Sequence, residues 1–118
     1  MLGFPSPSAD INPMLQSLVA SIVEAADPEQ VILFGSHARG EARGDSDVDL
    51  LIIETEGFGP HRSRAQEIGS LYRKLAGSGI AKDLLVYSRD EVERFQESEN
   101  HVVARALKEG RLVYEKPA

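Results

Sequence analysis

Two short runs of bulky apolar residues, Val31-Ile32-Leu33-Phe34 and Leu50-Leu51-Ile52-Ile53, are joined by a stretch that is nearly all small or polar, GSHARGEARGDSDVD from Gly35 to Asp49. Short apolar runs bounded by glycine or acidic residues read as buried strands rather than helices. The first is expected over 31–34. The second starts polar at Asp47 and runs to Glu54. The connection between them is about 12 residues long, close to the minimum for a parallel crossover, so an antiparallel pairing is equally open.

Helical signals surround these strands. Asn12-Pro13 reads as an N-cap followed by proline at the first helical position. Met14, Leu15, Leu18, Val19, Ile22, Val23 and Ala26 then recur at helical spacing, which predicts a helix over 13–26 with one buried stripe. Asp27-Pro28 ends it. One helical turn can follow Ser36. Glu56 to Pro60 is a glycine and proline loop. His61 to Ala76 carries Ala65, Ile68, Leu71, Tyr72 and Leu75 at helical spacing, with Gly77 as the expected stop.

Ile80 to Tyr87 reads as a third strand. Ser88 to Glu91 matches a capping box that opens another helix. A further helix is expected over about 99–108, ended by Gly110, and Arg111 to Tyr114 reads as a short edge strand. Residues 1–9 hold two prolines, two serines and a glycine and are expected to form a flexible tail. The expectation is therefore an α/β (α+β) fold, a small mixed sheet flanked by helices, in a single domain over 10–118.

Composition limits the setting. Of 118 residues, 42% are hydrophobic and 27% charged, as in ordinary globular proteins. No apolar run reaches the roughly 20 residues needed to span a bilayer, and the N-terminus shows no basic region followed by an apolar one, so no membrane and no secretion signal is expected. Cysteine is absent, which excludes disulfides and thiolate metal sites and fits a cytoplasmic location. A net charge of −6 gives no bulk attraction for nucleic acid, so direct nucleic-acid binding is not expected. A phosphate-rich ligand would need a local cluster of positive charge or bound cations.

The polar segment offers both. Asp47 and Asp49 are two apart at the start of a strand, which puts their side chains on one face. Neighbouring carboxylates raise each other's pKa, and hard divalent cations with oxygen ligands are the usual way to keep them together. Asp83 lies in the third strand before Leu84-Leu85-Val86. If that strand neighbours the second, Asp83 joins the pair, and three carboxylates can hold two magnesium ions about 3.5–4 Å apart for in-line nucleotidyl transfer. Gly35 lets the backbone approach a phosphate closely. Ser36 adds a hydroxyl and an N–H, and Arg39, Arg43 and His37 add local positive charge.

Gly35-Ser36, ten intervening residues and then Asp47-x-Asp49 resembles the signature of the DNA polymerase β-type nucleotidyltransferase superfamily. The surrounding GSHARGEARGDSDVDLLI is similar to the minimal nucleotidyltransferase branch in particular. The resemblance implies that Gly35 and Ser36 contact nucleotide phosphates, with Arg39 and Arg43 as nearby basic positions. It implies that Asp47, Asp49 and Asp83 are catalytic and bind two Mg2+ ions. Asp45 matches a commonly acidic position without an assigned role. The implied reaction passes a nucleoside monophosphate, most often AMP from ATP, to an acceptor hydroxyl and releases pyrophosphate. The chain ends soon after the core, so the acceptor surface is expected from another chain, in a homodimer or hetero-oligomer. The expected partner is a small helical HEPN-type toxin, which an antitoxin of this kind adenylylates and silences.

Other readings stand beside this one. Asp45, Asp47, Asp49 and Glu56 fall at EF-hand ligand positions, but Leu50 occupies the required glycine and Leu50–Ile53 suits a strand. The acidic turn could be solvated, Asp83 could pair with Lys82 or an arginine, and Arg39 and Arg43 could merely offset nearby acids. His61 and His101 sit at expected helix starts, and Tyr72 and Tyr87 read as packing residues. The functional alternatives are a non-catalytic nucleotide-binding module that neutralises a partner by contact, and a small-molecule nucleotidyltransferase of the aminoglycoside type.

Overall fold

A computed structural model describes residues 11–43 and 46–118. The expected tail over 1–9 and the acidic position Asp45 lie outside the described residues. The elements in chain order are α1 (Pro13–Ala26), β1 (Gln30–Phe34), α2 (Ser36–Arg39), β2 (Val48–Glu54), α3 (Arg64–Lys74), β3 (Lys82–Ser88), α4 (Arg89–Phe95), α5 (Val102–Glu109) and β4 (Arg111–Glu115).

The strands form one sheet in the order β3-β2-β1-β4. The pairing that the sequence leaves open is antiparallel: β1 runs against β2, with Phe34 opposite Asp49. β2 and β3 are parallel, joined by the crossover through α3, and β4 is antiparallel to β1. The mixed sheet is compatible with both connection lengths. The short link after β1 allows reversal, whereas the long α3 link returns the chain to the same end.

β2 is buried on both faces, and its side chains alternate between two cores. Leu50 and Ile52 pack with Leu15, Leu18 and Ile22 of α1 and Leu71 of α3. Leu51 and Ile53 pack with Val92 of α4 and with Val103 and Ala106 of α5. Helices thus cover both faces of the sheet. This strand also rules out the EF-hand reading, because extended backbone replaces the loop.

Local signals explain most boundaries. Asn12 Oδ1 accepts the Leu15 N–H at 2.9 Å, and Pro13 opens α1 as expected. Ser88 and Glu91 form the complete capping box of α4. Two expectations need correction. Met14 does not belong to the buried stripe of α1; it is 62% exposed, because the stripe runs through Leu15, Leu18, Val19 and Ile22. Gly77 does not stop α3. The helix closes at Leu75, a 3-10 turn spans Ala76–Ser78, and Gly79 takes the left-handed conformation at φ 71°.

The outer edge of β3 is capped by side chains of α3. Tyr72 Oη accepts the Leu84 N–H at 2.9 Å, and Arg64 Nη1 donates to the Val86 carbonyl oxygen at 2.8 Å. These contacts satisfy backbone groups that an edge strand otherwise presents to other chains. Among the described residues, no helix is long and apolar enough to cross a membrane.

Candidate functional site

The site lies where β1 ends and β2 and β3 begin. After Phe34 the chain turns sharply at Gly35, whose φ of 74° lies in the left-handed region that favours glycine. The Gly35 carbonyl oxygen accepts N–H groups from Ala38 and Arg39 at 3.1 and 3.2 Å, which closes α2. A Cβ at position 35 would stand 2.2 Å from Asp49 Oδ2. The backbone of the turn therefore lies directly against the Asp49 carboxylate, and both strain and space reserve this position for glycine.

Parallel register sets Asp49 beside Asp83 on adjacent strands. Asp47 precedes β2 by one residue. The expected neighbourhood of the second and third strands is thus realised, and it brings the three carboxylates to one end of the sheet. Asp49 is half-buried, while Asp47 and Asp83 are exposed. Burial, and then the charges of Asp83 and Asp47, hold the Asp49 carboxyl above its ordinary value; His37 and Arg39 act in the opposite direction. Lys82, weighed as an ion-pair partner for Asp83, instead donates to Ser78 Oγ at 3.2 Å and to the Ile80 carbonyl oxygen at 2.9 Å.

Among the described residues, no three carboxylate or imidazole groups already converge as a complete ligand set. The donor chemistry nevertheless fits a hard cation: oxygen ligands from adjacent strands, mutual repulsion, and no ion pair to a described lysine or arginine.

The basic residues divide between two clefts. An open cleft of about 370 Å3 is lined by Phe34, Gly35, Ser36, Arg39 and Asp49 on one side and by α5 on the other. Arg39 donates through Nε to Glu41 Oε1 at 2.8 Å, and its Nη1 lies 4.0 Å from Glu109 Oε1. A second cleft of about 340 Å3 is lined by His37, Arg43, Ser46 and Val48. There the Arg43 N–H donates to Ser46 Oγ at 2.8 Å, and His37 Nε2 lies 3.1 Å from the Ser46 carbonyl oxygen. Arg39 therefore shares a cleft with Gly35, Ser36 and Asp49, whereas Arg43 does not.

Of the other histidines, His61 is exposed and precedes α3 rather than opening it. His101 is the N-cap of α5. Its Nδ1 accepts the Val103 N–H at 3.0 Å, and its ring stacks on Phe95 at 4.1 Å. The His101 contacts are those of a helix cap and a packing ring. Residues of α5 that sequence reading did not single out, Val102, Arg105 and Glu109, line the first cleft. The available signal was their spacing, which sets Val102, Arg105 and Glu109 along one flank of the helix, beside the buried Val103 and Ala106.

The family model for polymerase β nucleotidyltransferases matches residues 16–118, which takes in both the Gly35–Asp49 segment and Asp83. The chain belongs to this family. Two solved structures share the nucleotidyltransferase fold. One, from Sulfolobus solfataricus and assigned as a nucleotidyltransferase, is 21% identical, with a TM-score of 0.57, covering 87% of this chain and 78% of that one. The other, a toxin–antitoxin structure with AMP-PNP, is 16% identical, with a TM-score of 0.52, covering 86% of this chain and 73% of that one. No curated protein sequence matches the chain significantly.

Proposed function

We propose that this nucleotidyltransferase domain is an active, magnesium-dependent enzyme that transfers AMP from ATP to a hydroxyl of a partner protein. The observation that carries the reading is the placement of Asp47, Asp49 and Asp83 at the sheet end that also bears the Gly35-Ser36 turn. Asp47, Asp49 and Asp83 would hold two magnesium ions, which supply charge neutralisation at the triphosphate and lower the pKa of the acceptor hydroxyl.

The chain's own residues do the rest. Gly35 leaves the turn without a side chain, so phosphate oxygens reach backbone N–H groups, with the Ser36 hydroxyl beside them. Arg39 adds positive charge within the cleft, and Arg43 adds it from the neighbouring one. Asp83, exposed on the edge strand, would take the proton of the incoming hydroxyl. The acceptor oxygen bonds to the α-phosphorus while the bond from that phosphorus to the pyrophosphate oxygen breaks. The leaving group is pyrophosphate.

The proposed partner is a small helical HEPN-type toxin, and the proposed role is that of its cytoplasmic antitoxin in a hetero-oligomer. Likeness to the minimal nucleotidyltransferase branch supports this, as does the shared fold with the toxin–antitoxin structure that contains AMP-PNP. The test incubates the chain, ATP and magnesium with the toxin encoded beside it and measures the intact mass of the toxin. One added AMP is expected, and Asp47→Ala or Asp49→Ala should slow its appearance by about 100-fold or more. A toxin that the triple carboxylate variant still silences, with no adduct, would replace this reading with neutralisation by contact.

A further inference from the structure

The first cleft has a wall that the reaction above leaves unused, one flank of α5. Val103 and Ala106 are wholly buried against the sheet, which fixes the rotation of this helix about its axis. Val102, Arg105 and Glu109 consequently face the cleft. The two cleft arginines differ in their company. Arg39 is shared between Glu41 and Glu109. Arg105 is exposed and forms no side-chain hydrogen bond or ion pair with a described residue. In a chain of net charge −6, it is a cation with its donors uncommitted, held by a packed helix opposite Ser36 and Asp49.

We propose that α5 forms the second wall of the nucleotide site and that Arg105 binds the phosphate groups of a magnesium–nucleoside triphosphate. This rests on reading the cleft as a nucleotide site. The guanidinium fork matches two phosphate oxygens at once, which a lysine cannot do. Glu109 lies in the same cleft, 4.0 Å from Arg39 Nη1.

The test is calorimetric titration of the full chain with magnesium and a non-hydrolysable ATP analogue. Arg105→Ala should weaken binding about tenfold or more, and Arg105→Lys should recover only part of that loss. Lys108→Ala, on the same helix but outside the cleft, should bind as the wild type does. Arg105→Gln preserves helix propensity and serves if the alanine variant loses its fold, as judged by circular dichroism. Wild-type binding with Arg105→Ala or Arg105→Gln within about twofold of it overturns the assignment of Arg105 alone. Failure of the wild type to bind any of the four common nucleoside triphosphates overturns the nucleotide reading as well.

Discussion

At one end of β2, Glu54 is 3% exposed and accepts a hydrogen bond from Arg62, which also donates to the Glu56 carbonyl oxygen and lies over the Phe58 ring at 4.3 Å. At the other end, Asp47 and Asp49, with Asp83 beside them, form no ion pair with a described arginine or lysine. The strand thus carries one carboxylate matched to a guanidinium inside the protein and others held in the open. Burying an unmatched charge is costly, so a structural carboxylate needs a built-in partner. Carboxylates that take a diffusible cation must stay accessible and repel one another without it. Asp47 and Asp83 are exposed, and burial followed by the charges of Asp83 and Asp47 raises the pKa of Asp49, as that second arrangement requires.

Glu54 is not fully matched either. Its Oε2 is buried without a hydrogen-bond donor. Burial, and then hydrogen bonding to Glu67, push its pKa up to about 7 against the influence of Arg62. With its pKa at about 7, protonation of Glu54 at neutral pH would turn this oxygen into a donor toward Glu67. The far end of β2 therefore has an arginine within reach of its carboxylate, whereas the near end has no described lysine or arginine paired with its own.

The contrast can be broken by substitution. The largest effect should come from Asp49→Ala: transfer falls by about 100-fold or more, while the melting temperature holds or rises, because a repelled carboxylate has been removed. A large loss of stability in that variant would mean that Asp49 is structural after all. Arg62→Ala should do the reverse, costing about 3 kcal/mol in denaturant unfolding at pH 8 and leaving transfer by the folded fraction intact.

A smaller effect is pH dependence. The Glu54 proton is held more tightly in the folded chain than at the ordinary value of 4.5, so the folded state binds more protons between pH 4.5 and about 7. Stability from this group is fully present below that window and is lost as pH rises through it, by roughly 1–3 kcal/mol. Glu54→Gln should flatten this slope in urea titrations at several pH values; an unchanged slope would remove the Glu54 proton. The smallest effect is expected for Arg39→Ala, whose exposed ion pairs should change stability by less than about 0.5 kcal/mol.

Periodic and capping signals made most of the fold legible. The 13–26 helix has the expected bounds because Asn12-Pro13 and Asp27-Pro28 mark both ends. The Ser88–Glu91 box did the same for α4. Pairing direction was not legible, since a link of that length closes either way and only the packed sheet decides. Nor was the true end of α3, which closes at Leu75 ahead of both nearby glycines, with Gly79 capping the 3-10 turn that follows. In the site, the Gly35–Asp49 segment is local and visible in sequence. The position of Asp83 beside Asp49 depends on strand order, which no local pattern encodes. The α5 wall was hidden for a similar reason: helical spacing gives its exposed face, but not what that face looks across.

The sheet order has a consequence for synthesis. β1 is an interior strand whose second partner, β4, follows every other described element. A chain emerging from the ribosome can pair β1, β2 and β3, and so gather its carboxylates, while one side of β1 is still bare. The sheet closes only when the final strand inserts, directly after α5 has docked. The carboxylate end of the sheet can thus be assembled before the α5 side of the cleft exists, because α5 and β4 follow every strand that carries an acid of the site.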